Sequence, residues 1–70
     1  MDSPIDKPDY SGMTLNERLF AAGLMKRFDR AAKDRDGEEM VRILMQVSLS
    51  ETDARWSTKT ILGNPEKYGY

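Results

Sequence analysis

The sequence predicts an all-α fold: a compact three-helix bundle over residues 14–70, preceded by a flexible N-terminal arm over residues 1–13 and closed by a short C-terminal turn. Two observations carry that expectation. Apolar residues recur at three- and four-residue spacing in separate stretches, and a helix-start signal, at Thr14, Asp36 and Ser50, precedes each of them. No stretch alternates apolar and polar residues as a half-buried strand would, and no internal repeat is visible.

The arm holds Pro4 and Pro8 among Asp, Ser and Lys, with only Ile5 and Tyr10 to bury, too little apolar surface to offset the entropy of ordering. Helix one starts at Thr14-Leu15-Asn16-Glu17, a Thr-x-x-Glu box in which hydroxyl and carboxylate each satisfy a free backbone N–H. At 3.6 residues per turn it runs to Arg35 and gathers Phe20, Ala21, Leu24, Phe28, Ala31 and Ala32 on one core-facing side. Gly23 falls inside this helix, where glycine costs about 1 kcal/mol relative to alanine. It lies with Leu15 and Leu19 on a narrow second strip, explained either by close approach of another segment or by simple tolerance.

Asp36 and Glu39 repeat the capping arrangement for helix two, residues 37–47, whose stripe is Met40, Ile43, Leu44 and Val47. Ser50 caps helix three, with Leu49 and Ala54 spaced as a hydrophobic staple. Helix three runs to Leu62, Gly63 suits the left-handed residue that closes a helix, and Pro65 prevents continuation. Asn64 and Pro65 then open one further turn in the tail.

Composition narrows function. The chain has no histidine and no cysteine, which removes the usual metal ligands, thiol nucleophiles and neutral-pH proton shuttles. No Ser-x-x-Lys pair, glycine-rich phosphate loop or nucleophile elbow appears. A chain of 70 residues also has little volume for a water-excluding pocket, so the expectation is no enzyme and no cofactor. Formal net charge is -1, from 11 basic and 12 acidic side chains, and supplies no long-range attraction to nucleic acid or to a membrane. The apolar run from Leu19 to Met25 is too short for a bilayer, and the N-terminus lacks the basic and apolar blocks of a secretion signal. A cytoplasmic chain without membrane contact is expected.

Asp34-x-Asp36-Gly37 has the look of the middle of a calcium-binding loop. With Gly37 as the sixth position, however, Ala32 and Ile43 fall where an acid and a bidentate glutamate are required, so no metal site is assigned. Lys26, Arg27, Arg30, Lys33 and Arg35 cluster late in helix one, where cations are favoured by the helix dipole, and Asp29 and Asp34 interrupt them. A solvated face explains the cluster better than a phosphate contact does.

The side chains left for recognition lie off the stripes. Trp56 points away from Ala54, Thr58 and Ile61 on the helix wheel, so either a second side of helix three is covered by the Tyr68 and Tyr70 tail or by the arm, or a large aromatic faces solvent. Tryptophan is over-represented among binding hot spots. Met25 and Met45, at the margins of their stripes, can extend such a surface with adaptable contacts. The expected site is therefore Trp56, Tyr68, Tyr70, Met25 and Met45, binding another protein or a second copy of the chain. Inhibitors, antitoxin-like immunity proteins and complex subunits all fit that description. The alternative is a helix-turn-helix DNA-binding regulator that reads with Arg55, Ser57, Thr58, Lys59 and Thr60 of helix three, although Glu51 and Asp53 at its N-terminal end oppose phosphate contact.

The order Asn16-Glu17-Arg18-Leu19-Phe20, Gly23-Leu24-Met25, Phe28-Asp29, Ile43-Leu44 and Val47-Ser48-Leu49-Ser50 resembles short uncharacterised bacterial all-helical proteins. The resemblance covers most of the chain after Met13. It implies a bacterial cytoplasmic setting and transfers no functional residue.

Overall fold

A computed structural model of the protein describes residues 12–70; the expected arm over residues 1–13 lies outside them except for Gly12 and Met13. The described chain is all-helical, with four α-helices where three were expected: α1 (Leu15–Ala21), α2 (Met25–Lys33), α3 (Gly37–Gln46) and α4 (Glu51–Gly63), followed by a 3₁₀ turn, Pro65–Tyr68. α3 sits at the centre and packs on both α2 and α4, while α1 packs on α2.

The start signals act largely as the sequence implies. Thr14 Oγ1 accepts from the Glu17 N–H at 3.2 Å while Glu17 Oε1 accepts from the Thr14 N–H at 2.8 Å, a complete capping box. Ser50 Oγ accepts from the Asp53 N–H at 3.1 Å. Asp36 accepts from the Glu39 N–H at 3.2 Å, but the box there is half made. The Asp36 N–H donates instead to the Ala31 carbonyl, and the Glu39 carboxylate turns to Arg27 and Arg42.

The expected single helix over residues 14–35 is broken at Gly23. Its φ of +72° is left-handed, the Leu24 N–H donates to the Leu19 carbonyl at 2.9 Å, and the Gly23 N–H donates to the Phe20 carbonyl at 3.1 Å. These are the two bonds of a Schellman closure, which satisfies carbonyls that a helix end leaves free. A Cβ built on Gly23 meets nothing within 4 Å, so close approach of a neighbour is not the reason for glycine; backbone conformation is. The same pair of bonds closes α2 around Arg35 (φ 58°) and α3 around Ser48 (φ 75°). Gly63, expected to be the left-handed closer of the last helix, is that helix's final residue and lacks the left-handed φ. Pro65, without an N–H, follows it in the 3₁₀ turn, and the left-handed residue is Gly69.

The break resets the helix wheel. Leu19, expected on the side strip, is fully buried, while Phe20, expected in the core, is 79% exposed, and Ala21 is exposed with it. After the break the expectation holds for Phe28, Ala31 and Ala32, which are buried, as are Met40, Ile43, Leu44 and Val47 of α3, while Leu24, expected with them, caps α2 and is half-buried against the core. Burial of each such large side chain stabilises by about 1.5–3 kcal/mol. Ala54, Thr58 and Ile61 line the inner side of α4. Arg18 fastens α1 to the end of α3, its Nη1 donating to the Val47 carbonyl at 3.2 Å and its Nε to the Met13 carbonyl at 3.3 Å.

Candidate protein-binding groove

α4 turns Ala54, Thr58 and Ile61 inward, and a residue two positions from Ala54 lies about 200° round the helix. Trp56 is therefore directed outward and is 69% exposed. The tail does not cover it: Tyr68 is itself 41% exposed. Three hollows meet around these rings. The largest, about 450 Å³, lies between the start of α1 and the α3–α4 corner and is lined by Leu15, Arg18, Leu49, Asp53, Trp56 and Ser57, among others. A second, about 340 Å³, is lined by Leu15, Asn16, Phe28, Ile61 and the tail residues Lys67, Tyr68 and Tyr70. A third, about 190 Å³, shares Trp56 and Ser57 with the first and Ile61 and Tyr68 with the second, so the three adjoin along one grooved face, and Leu15 borders each of them.

The expected site residues separate into two groups. Trp56 and Tyr68 stand exposed on the groove, with Lys67 Nζ 5.8 Å from the centre of the Tyr68 ring. Tyr70 lines the groove as well, but its hydroxyl donates to Asp29 Oδ1 of α2 and its N–H to the Pro65 carbonyl at 2.8 Å, so it clasps the tail to the bundle. Burial first, then the hydrogen bond and the negative charge of Asp29, push the Tyr70 phenol well above its ordinary pKa. Met25 packs against the core and Met45 is half-exposed on α3; neither lines the groove. Phe20, the most exposed large apolar side chain among the described residues, was not foreseen as a surface residue. Its signal was the Ala22-Gly23 pair, which reads as a helix end once Gly23 is given a left-handed conformation.

Two of the cations considered for phosphate or DNA contact, Arg55 and Arg27, are held by carboxylates. Arg55 Nε donates to Glu51 at 3.0 Å and Arg55 Nη1 to Glu38 at 3.4 Å; the Glu51 bond and then the Glu38 bond raise its pKa. Glu39 bridges Arg27 at 2.9 Å and Arg42 at 3.1 Å, and hydrogen bonds from Arg27 and then Arg42 hold its carboxyl below the usual range. Thr58 Oγ1, expected to be available for DNA contact, is buried and has no hydrogen-bond partner. No cluster of potential metal ligands occurs among the described residues, and no helix there is long and apolar enough to cross a membrane.

No protein-family model, curated protein or solved structure matches the chain.

Proposed function

We propose that the protein is a noncatalytic interaction module of the cytoplasm, which binds another protein through the groove that Trp56 and Tyr68 border. The observation that carries this reading is the 69% exposure of Trp56 at the junction of two hollows, on a regular helix of 13 residues. An exposed indole leaves a large apolar area in water, and its burial against a partner supplies the anchoring energy typical of a hot spot, about 2 kcal/mol or more. The position is pre-organised, because α4 is capped at Ser50 and packed on α3, so little ordering entropy is lost on binding. The absence of histidine and cysteine supports the noncatalytic part of the reading.

The test is comparative capture from the native cell extract by the immobilised wild-type chain, by Trp56→Ala, and by Lys26→Ala as a control on an exposed position of α2. A protein retained by wild type and by the Lys26 variant but lost from Trp56→Ala supports the groove. Equal retention by all three refutes it.

A further inference from the structure

We infer that residues 64–70 form a strap that opens as one unit about Asn64 while the four helices stay folded, and that the contact of Tyr70 with Asp29 is its latch. Such opening is a property of the tail itself, independent of what the groove binds.

The bonds of the tail close mostly on the tail. The Lys67 N–H donates to the Asn64 carbonyl at 3.2 Å, the Gly69 N–H to the Glu66 carbonyl at 3.2 Å and the Tyr70 N–H to the Pro65 carbonyl at 2.8 Å, while Lys67 lies over the neighbouring Tyr68 ring. None of residues 64–70 is buried. At the near end the Asn64 N–H reaches back to the Ile61 carbonyl of α4 at 3.2 Å. At the far end the Tyr70 hydroxyl, donating to Asp29 of α2, makes the one hydrogen bond among the described residues that ties the tail to a helix other than α4. A segment with little buried surface and solvent-facing backbone bonds belongs to the low-stability end of a fold and opens separately from it. Asn64 suits the pivot: its φ of -150° and ψ of 66° set it outside the helix, and the space beside Gly63 is open, so the chain can turn there without displacing packed side chains.

The latch also guards part of the core. Tyr70 packs against it and shares the second hollow with Phe28 and Ile61, both buried. Opening carries Tyr68 and Tyr70 away from that hollow and bares its apolar floor, so the latch governs access to Phe28 and Ile61.

The experiment is residue-resolved amide hydrogen exchange on the full chain. In wild type the amides of Lys67, Gly69 and Tyr70 should share one protection factor, well below that of the α3 amides. Tyr70→Phe deletes the latch donor and should lower protection at all three positions together, by about 5-fold or more. Asp29→Asn keeps an acceptor but removes its charge, so it should lower the same three together by a smaller factor, and it reads the latch from the other side should Tyr70→Phe lose its helical circular dichroism. Loss confined to position 70 would mean residue-by-residue fraying and would overturn the proposal, as would protection indifferent to both substitutions. Tail amides unprotected in wild type would overturn it because no strap is closed, and tail amides as protected as those of α3 because the tail then opens only with the whole fold.

Discussion

Gly23→Ala separates two pictures of the first half of the chain by the sign of its effect. In an uninterrupted helix, alanine would replace the poorer helix former and stabilise the fold by about 1 kcal/mol. In the structure Gly23 is left-handed at φ +72°, and an added Cβ would touch nothing within 4 Å, so packing contributes neither gain nor loss. What remains is the backbone cost of placing an L-residue in the left-handed region, about 1–2 kcal/mol, with the loss of unfolded-chain entropy recovering a few tenths. The net expectation is destabilisation by about 1 kcal/mol, or about 4–8 °C in Tm for a domain of this size. Urea titration followed by far-ultraviolet circular dichroism measures it. Gly63→Ala is the internal control: that glycine is helical, an added Cβ there is also free of contacts, and substitution should stabilise by a few tenths to about 1 kcal/mol. A midpoint that rises for Gly23→Ala as it does for Gly63→Ala would refute the break and, with it, the inward setting of Leu19.

That setting is also open to direct measurement. Leu19→Ala should cost about 2–5 kcal/mol as a buried truncation, while Phe20→Ala, at 79% exposure, should stay within about 0.5 kcal/mol of wild type by thermal melting. Thr58→Val replaces a buried hydroxyl that has no partner by a methyl of the same shape, and denaturant titration should find the variant more stable by about 1 kcal/mol. Tyr70→Phe removes the hydrogen bond to Asp29 and should cost about 1 kcal/mol at neutral pH. Because the folded-state pKa of Tyr70 is raised, its contribution is fully present below the ordinary phenol value of about 10 and is lost as pH rises through the higher folded value. Stability of wild type and Tyr70→Phe, compared across alkaline pH, should therefore converge above about 10; a constant difference would exclude the linkage.

The parts of the fold legible in the sequence are those governed by local bonds. Thr14 with Glu17, Asp36 and Ser50 each announce a helix start because the side-chain acceptor and the N–H it satisfies lie within three residues. The stripe Met40, Ile43, Leu44 and Val47 is legible because one uninterrupted helix imposes one period on it. The break at Gly23 was hidden because residues 14–35 keep a good helical period if read straight through, and only the backbone at one glycine shows that the wheel restarts. Phe20 and Leu19 exchange environments as a result. Closure of α2 and α3 at Arg35 and Ser48 left no residue-type signal, since neither is a usual left-handed residue. At the candidate site, the outward direction of Trp56 follows from the wheel, whereas the hollows beside it require α1 and the tail to be placed against α4. Asp29 and Tyr70 meet across the fold, and no spacing rule reaches that far.

The corners at Gly23, Arg35 and Ser48 each turn the chain within three or four residues and keep no slack. Adding or deleting one residue at any of them would rotate the following helix by about 100° about its own axis and turn its apolar side toward water. Length changes should therefore be rejected at all three corners, and a lineage carrying this fold can vary its side chains widely while the count of residues from Thr14 to Ser50 stays fixed.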